Sequence, residues 1–188
     1  MFFKPKNGAS PPREDLAHLT VADARVGDTL SIVGVGDQYA DLDFTVDRYN
    51  SMEAGERRWF EVSGMYKERR VYLEVEPGDE LDVRGVFDAK KFTLDELGLS
   101  EDDLAEIDDR QNPADNFPFQ DKTWMYRWSR EVGIFQAAQE TGRGYYGWVF
   151  QEQGGKRFLA IRKYEGEPFT VTILQKVNPG DVTVFRGQ

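Results

Sequence analysis

Apolar and polar positions alternate along most of the chain. From Arg57 to Val83, Val71, Leu73 and Val75 stand against Tyr72, Glu74 and Glu76. A period of two is the mark of a half-buried strand, and the stretch predicts three strands joined by two turns. Upstream, the Gly27-Asp28 turn leads into a strand carrying Leu30 and Ile32. A second strand, Asp41 to Asn50, alternates around Leu42, Phe44 and Val46, and Ser51 to Gly55 makes a turn. Downstream, a strand from Thr123 places Trp124, Tyr126 and Trp128 on one side. Ile134 to Ala138 reads as another strand. Tyr145 to Glu152, Lys156 to Lys163, Phe169 to Lys176 and Val182 to Phe185 complete a second series, punctuated by Gly142-Arg143-Gly144, Gly154-Gly155 and Glu165-Gly166.

Between the two series the period changes. Thr93-Leu94-Asp95-Glu96 has capping-box spacing, and Gly98 can end that short turn. Ser100-Glu101-Asp102-Asp103 repeats the signal, with its acids in the first turn where the helix dipole favours them. Leu104 and Ile107 share a face, so a helix is expected from about Glu101 to Asp109, followed by a loop over Asn112 to Asn116. The expected fold is α+β, mostly β: two antiparallel β-meander halves joined by a short acidic helix. Residues 1–19 form a tail, 20–92 the first half, 93–121 the connector and 122–188 the second half, packed as one compact unit. The expected cores are Leu30, Ile32, Phe44, Val46, Trp59, Val62, Val71, Leu73 and Val75 in the first half. Those of the second are Trp124, Tyr126, Trp148, Phe150, Phe158, Ile161, Val171 and Ile173.

The two halves resemble each other. Trp59 aligns with Trp148, Arg69-Arg70 before Val71 with Lys156-Arg157 before Phe158, and Gly78 to Val83 with Gly166 to Val171. One reading is an internal duplication with a pseudo-twofold axis. The other is that any two aromatic-rich meanders look alike.

Charge adds a gradient to this picture. The net charge is −10. It is split as −5 over residues 1–92, −9 over 93–121 and +4 over 122–188 when the acidic and basic residues of each segment are counted. The chain has no cysteine and one histidine, His18, which excludes disulfides, thiolate chemistry and histidine-based metal sites. Its start lacks an apolar leader and no segment is long enough to span a bilayer as a helix, so a cytoplasmic location is expected.

Candidate chemistry is sparse. His18 lies beside Glu14 and Asp15, but no Gly-x-Ser-x-Gly elbow supplies a nucleophile. Asp37, Asp41, Asp43 and Asp47 cluster without the pattern of a calcium loop, and solvated charge explains them. Gly34-Val35-Gly36-Asp37 lacks the third glycine and the helix of a dinucleotide fingerprint. Carboxylate pairs with Trp124, Trp128 and Trp148 as sugar platforms are conceivable in a chain with 34 acids, where chance pairs are unavoidable. The most specific surface is in the basic second half, where Trp124, Tyr126, Arg127, Trp128, Tyr145 and Tyr146 interleave aromatic and basic residues. Such a set can stack bases or hold an acidic peptide or anionic head groups, against the alternative that the aromatics fill a core. The negative net charge argues against specific nucleic-acid binding.

Trp59-Phe60-Glu61-Val62, Arg70 to Glu76, Leu94 to Leu104, Trp148-Val149-Phe150 and Gly155 to Ile161 carry a family resemblance. So does Val177 to Val184, and together they span roughly Val26 to Phe185. The chain resembles the bacterial family catalogued as domain of unknown function 4178. That resemblance implies no catalytic residues, because the family has no established activity; at most it implies a partner role. The expected function is a non-catalytic protein-binding or scaffold module with a protein partner, no cofactor and no metal. The alternative is an enzyme or small-ligand-binding protein with a cleft between the two halves.

Overall fold

The computed structural model describes residues 18–136 and 142–187. In chain order they form β1 (Thr29–Ile32), β2 (Leu42–Ala54), β3 (Arg57–Tyr66), β4 (Arg69–Glu76) and β5 (Asp82–Val86). Then come α1 (Leu94–Leu97) and α2 (Glu101–Arg110). The second series is β6 (Asn116–Phe119), β7 (Lys122–Gln136), β8 (Arg143–Glu152), β9 (Arg157–Tyr164), β10 (Thr170–Val177) and β11 (Val182–Phe185).

The fold is mostly β, and its centre is a closed antiparallel barrel of eight strands. Around the ring the order is β2-β3-β4-β5-β10-β9-β8-β7, and β7 pairs back onto β2. Each half contributes four consecutive strands, so the halves meet at two seams. At one, Asn50 to Glu53 pair with Gln136 to Gly133. At the other, Val83 and Gly85 pair with Val177 and Gln175. Outside the ring, β1 and then β11 extend from β2, and β6 extends from β7.

The ring closes because β2 and β7 are long and change face midway. In each, the pairing to the next strand shifts by one residue, at Asp47 in β2 and at Arg127 in β7. An extra residue of this kind bends a strand and inverts its alternation. Before the bulge, Phe44, Val46, Trp124 and Tyr126 point to the outer side of the ring. After it, Asn50, Met52, Trp128 and Val132 point to the inner side. Gly64 of β3 lies at the first bulge; a Cβ there would stand 2.1 Å from the carbonyl oxygen of Thr45. Only glycine admits the β2 backbone so close.

Two apolar cores cover the outer side. The first joins Leu30 and Ile32 of β1, Phe44, Val62, Leu73 and Val83 of the ring, and Val182 and Val184 of β11. The second packs Leu94 and Leu97 of α1 and Leu104 and Ile107 of α2 against Trp124, Tyr126, Phe150 and Ile161. Both helices begin as their capping boxes predict. Thr93 N–H donates to Glu96 at 2.7 Å and Ser100 N–H to Asp103 at 2.7 Å. Gly98, with φ of 71°, ends α1 in the left-handed region. The buried Asp28 accepts hydrogen bonds from Arg186 and from Gly187 N–H at 3.1 Å, fastening these two residues to the start of β1.

Several expectations need correction. Ser51 to Ala54 continue β2 instead of turning. The strands expected from Thr123 and from Ile134 are one strand, β7; residues 137 and 138 of the latter lie outside the described residues. A strand absent from the expected connector, β6, contains Pro118, which is tolerated because β6 is an edge with one neighbour. Trp128 does not share a face with Trp124 and Tyr126, because the bulge at Arg127 intervenes. Counted from the two bulges through the cross-strand registers, Trp148 occupies the place of Val62, and Tyr145 that of Trp59.

Candidate functional site

The inner side of the ring is built from alternate residues of strands whose other residues fill the outer cores. Arg162 of β9 reaches Glu74 of β4 at 2.5 Å and Glu61 of β3 at 3.7 Å. In the ring β3 lies directly across from β9, so these side chains meet across the barrel interior. Glu61 and Glu74 are cross-strand partners in adjacent strands. Like charges placed opposite each other repel, and the shared guanidinium offsets that repulsion. Burial pushes the Glu74 carboxyl above its ordinary pKa, with Arg162 opposing and Glu61 reinforcing the shift. The side chains of Arg162 and Glu74 keep 20% and 19% exposure. Both line the internal spaces, so that residual surface opens into the barrel.

On one side of this charged layer the barrel is packed. Arg57 forms a two-pronged ion pair with Glu76, at 2.6 and 2.5 Å. Its guanidinium stacks over Trp59 and Trp128, 5.6 and 5.2 Å from the ring centroids. Arg84 pairs with Asp82 and covers the ring of Phe158 at 3.8 Å. Only about 30 Å³ remains free there, room for about one water.

On the other side the barrel opens into a cavity of about 740 Å³. Its wall carries Tyr72, Val86, Ile134, Tyr164, Thr172 and Leu174, drawn from both halves of the chain. Its cationic lining is Arg48, Arg70, Lys90, Lys91, Arg143 and Arg162, against the acids Glu61, Glu74, Asp88 and Glu167. Arg70 is held by Asp47 at 2.5 Å and Arg143 by Glu167. Asn50 donates to Glu61 at 3.1 Å, while its buried Oδ1 receives no donor from the described residues.

The six residues expected to form an aromatic and basic surface are dispersed. Trp124 and Tyr126 are fully enclosed in the second outer core. Its indole N–H bonds the Phe119 carbonyl at 3.1 Å, and the Tyr126 hydroxyl meets Ser129 at 2.8 Å. Tyr145 is buried inside the barrel, and Trp128 is half-buried against Arg57. Tyr146 is half-buried and donates to Asp108 of α2 at 2.9 Å. Arg127 alone is exposed, bonded to Gln151 at 2.9 Å. No stacking platform exists in this set: alternate aromatics fill two separate interiors.

The acidic cluster is dispersed as well. Asp37 pairs with Lys67 and Arg69, both at 2.5 Å, and Asp47 with Arg70. Asp41 accepts from Gly34 N–H at 3.1 Å. Among the described residues no group of three or more histidine, aspartate and glutamate side chains is placed to hold a metal ion. His18 lies at the start of the described chain, exposed. The interior residues that matter, Glu61, Glu74, Arg162, Asn50 and Arg48, carry no motif. Their only signal is position on the polar side of alternating strands, which a solvent-facing sheet shares.

No protein-family model, no curated protein and no solved structure matches the chain. Among the described residues no helix is long and apolar enough to cross a membrane.

Proposed function

We propose that the protein is a binding protein for a small polar ligand held inside the eight-strand barrel. The observation that carries this reading is the cavity of about 740 Å³ between the two halves, floored by an ion-paired polar layer. Ligand sites typically occupy about 300–1,000 Å³, and barrel mouths are a recurrent location. An eight-strand barrel is wide enough to hold one small ligand. This geometry favours the ligand-binding alternative over a scaffold. The exposed large apolar residues, such as Val26, Tyr39 and Met65, come from separate elements.

The two meanders are read as copies of one unit. Each has a short strand, a long bulged strand and three more strands in the same order. Like elements also meet at the seams, β2 with β7 and β5 with β10. Two-fold assembly of such units leaves a shared interior that neither builds alone, which is where the cavity lies.

The test is a ligand-observed NMR screen of small polar compounds against the full chain and a Thr172→Trp variant. Thr172 lines the cavity, and an indole there projects into it and narrows the space left for a ligand. Binders lost in the variant, with its thermal unfolding unchanged, support the proposal. Binders indifferent to the substitution, or none at all, refute it.

A further inference from the structure

The charges of the barrel are arranged by depth, and that arrangement specifies the ligand class. Around the packed interior, the carboxylates of Glu61, Glu74, Glu76 and Asp82 outnumber the guanidiniums of Arg57, Arg84 and Arg162. Arg57 is paired with Glu76 and Arg84 with Asp82, and Arg162 is the cation among the described residues that pairs with both Glu61 and Glu74. Two buried acceptor atoms, Asn50 Oδ1 and Asp82 Oδ1, receive no donor from the described residues. Asn50 and Glu61 both line the cavity floor, where the Asn50 amide N–H donates to Glu61. The floor is therefore richer in acceptors than in donors, with the Arg162 guanidinium shared between two carboxylates.

The mouth has the opposite composition. Arg48, Lys90 and Lys91 line it together with Arg70 and Arg143, whose charges are already paired. Asp88 is the acid on the same stretch of chain, and it accepts the Lys90 backbone N–H at 3.3 Å. In a chain of net charge −10, a cationic rim leading to a concave, low-dielectric wall concentrates field lines for an anionic group.

We infer that the cavity takes a zwitterionic ligand of about dipeptide size, its ammonium group inward against the Glu61–Glu74 pair, its anionic group outward against Arg48 and Lys91. The apolar wall of Val86, Ile134 and Leu174, with the rings of Tyr72 and Tyr164, accommodates a side chain between the two ends. This inference rests on the barrel being the binding site.

The test uses alanyl-phenylalanine, its N-acetyl derivative and its C-terminal amide as probes in isothermal titration calorimetry with the full chain. The scaffold is shared, and each cap removes one charge. Each cap is expected to weaken binding roughly tenfold, the order set by one charge-assisted hydrogen bond. The Arg48→Ala/Lys91→Ala double variant is expected to abolish the preference for the free carboxylate and keep that for the free amine. Glu74→Gln, which removes a carboxylate of the floor, is expected to do the reverse. Probes that bind with equal affinity, all lost in Thr172→Trp, overturn the zwitterion and leave the barrel site standing. Binding that survives Thr172→Trp overturns both. No binding of any probe at millimolar concentration rejects the ligand class, while the broader screen still decides the site.

Discussion

The two sides of the ring use the same strands for opposite ends. On β4, Val71, Leu73 and Val75 enter an outer core with no exposure at all, while Tyr72, Glu74 and Glu76 turn into the barrel. On β9, Leu159 and Ile161 go outward, and Ala160 and Arg162 inward. The outer cores are dry and packed against β1, β11 and the helices. The inner side is a layered mixture of rings, ion pairs and open space. Stability is therefore concentrated outside the barrel, where packing is apolar, and the interior keeps polar groups and open space. Buried ion pairs are poor sources of stability compared with apolar packing, so an interior of this kind has to be carried by its surroundings.

Substitutions on the two sides separate these roles. Phe150→Ala, in the outer core against Phe117 and Tyr126, is expected to cost about 4 kcal/mol in denaturant unfolding. Arg162→Met is expected to cost about 3 kcal/mol, because it strands Glu61 and Glu74 without a counter-ion; the residual 20% exposure of the arginine keeps the loss at the lower end. The second loss should shrink when Glu74→Gln is added, since the two sites share one interaction. The first should not change. An additive Glu74→Gln effect in both backgrounds would show that the barrel pair is not coupled.

Two glutamates sharpen the contrast by titration. Glu152, at the outer end of β8, is held below its ordinary pKa by hydrogen bonds from Arg157 at 2.8 Å, with Lys122 at 3.3 Å assisting. Glu74, inside the barrel, is pushed above its ordinary value by burial. The signs follow by linkage. Glu152 contributes stability above the unfolded-state value near 4.5 and loses it as pH falls through its depressed folded value. Glu74 contributes below 4.5 and loses that contribution as pH rises through its elevated folded value. Relative to wild type, Glu152→Gln should flatten the acid limb of the unfolding profile. Glu74→Gln should remove a decline on the neutral side. Unfolding midpoints measured at intervals from acid to neutral pH check both. Identical profiles for the two variants would mean that burial does not distinguish the two faces.

The strands were legible because alternation is a local property. Leu42, Phe44 and Val46, or Val71, Leu73 and Val75, mark a buried face whatever the tertiary fold. The α1 and α2 starts were legible for the same reason, since Thr93 with Glu96 and Ser100 with Asp103 are contacts three residues apart. Where the opposite face goes is not local. Glu61, Glu74 and Arg162 alternate as solvated residues would, and only the seams β2–β7 and β5–β10 turn that face into an interior. The bulge at Arg127 was equally hidden. It separates Trp128 from Trp124 and Tyr126 and dissolves the expected aromatic surface. The candidate site was illegible in detail, although its place between the two halves was one of the two expectations.

The smallest expected effect is spectroscopic and concerns the tie between α2 and the ring. Tyr145 and Tyr146 are adjacent on β8 and face opposite sides, Tyr145 inward and Tyr146 toward α2. Burial, together with the hydrogen bond to Asp108, pushes the Tyr146 phenol up to about 12. Asp108 also accepts from Ser129, so one carboxylate of α2 holds both β7 and β8. Asp108→Ala removes the acceptor and its charge but leaves the burial. The difference between wild-type and variant ultraviolet titrations should therefore show one tyrosine ionising at lower pH in the variant, still above the ordinary value of 10.0 because burial is the larger cause. The barrel interior does not touch Asp108, so binding in the cavity should be unchanged. A titration curve identical to wild type would mean that α2 does not hold Tyr146, and that the outer core alone keeps the helix in place.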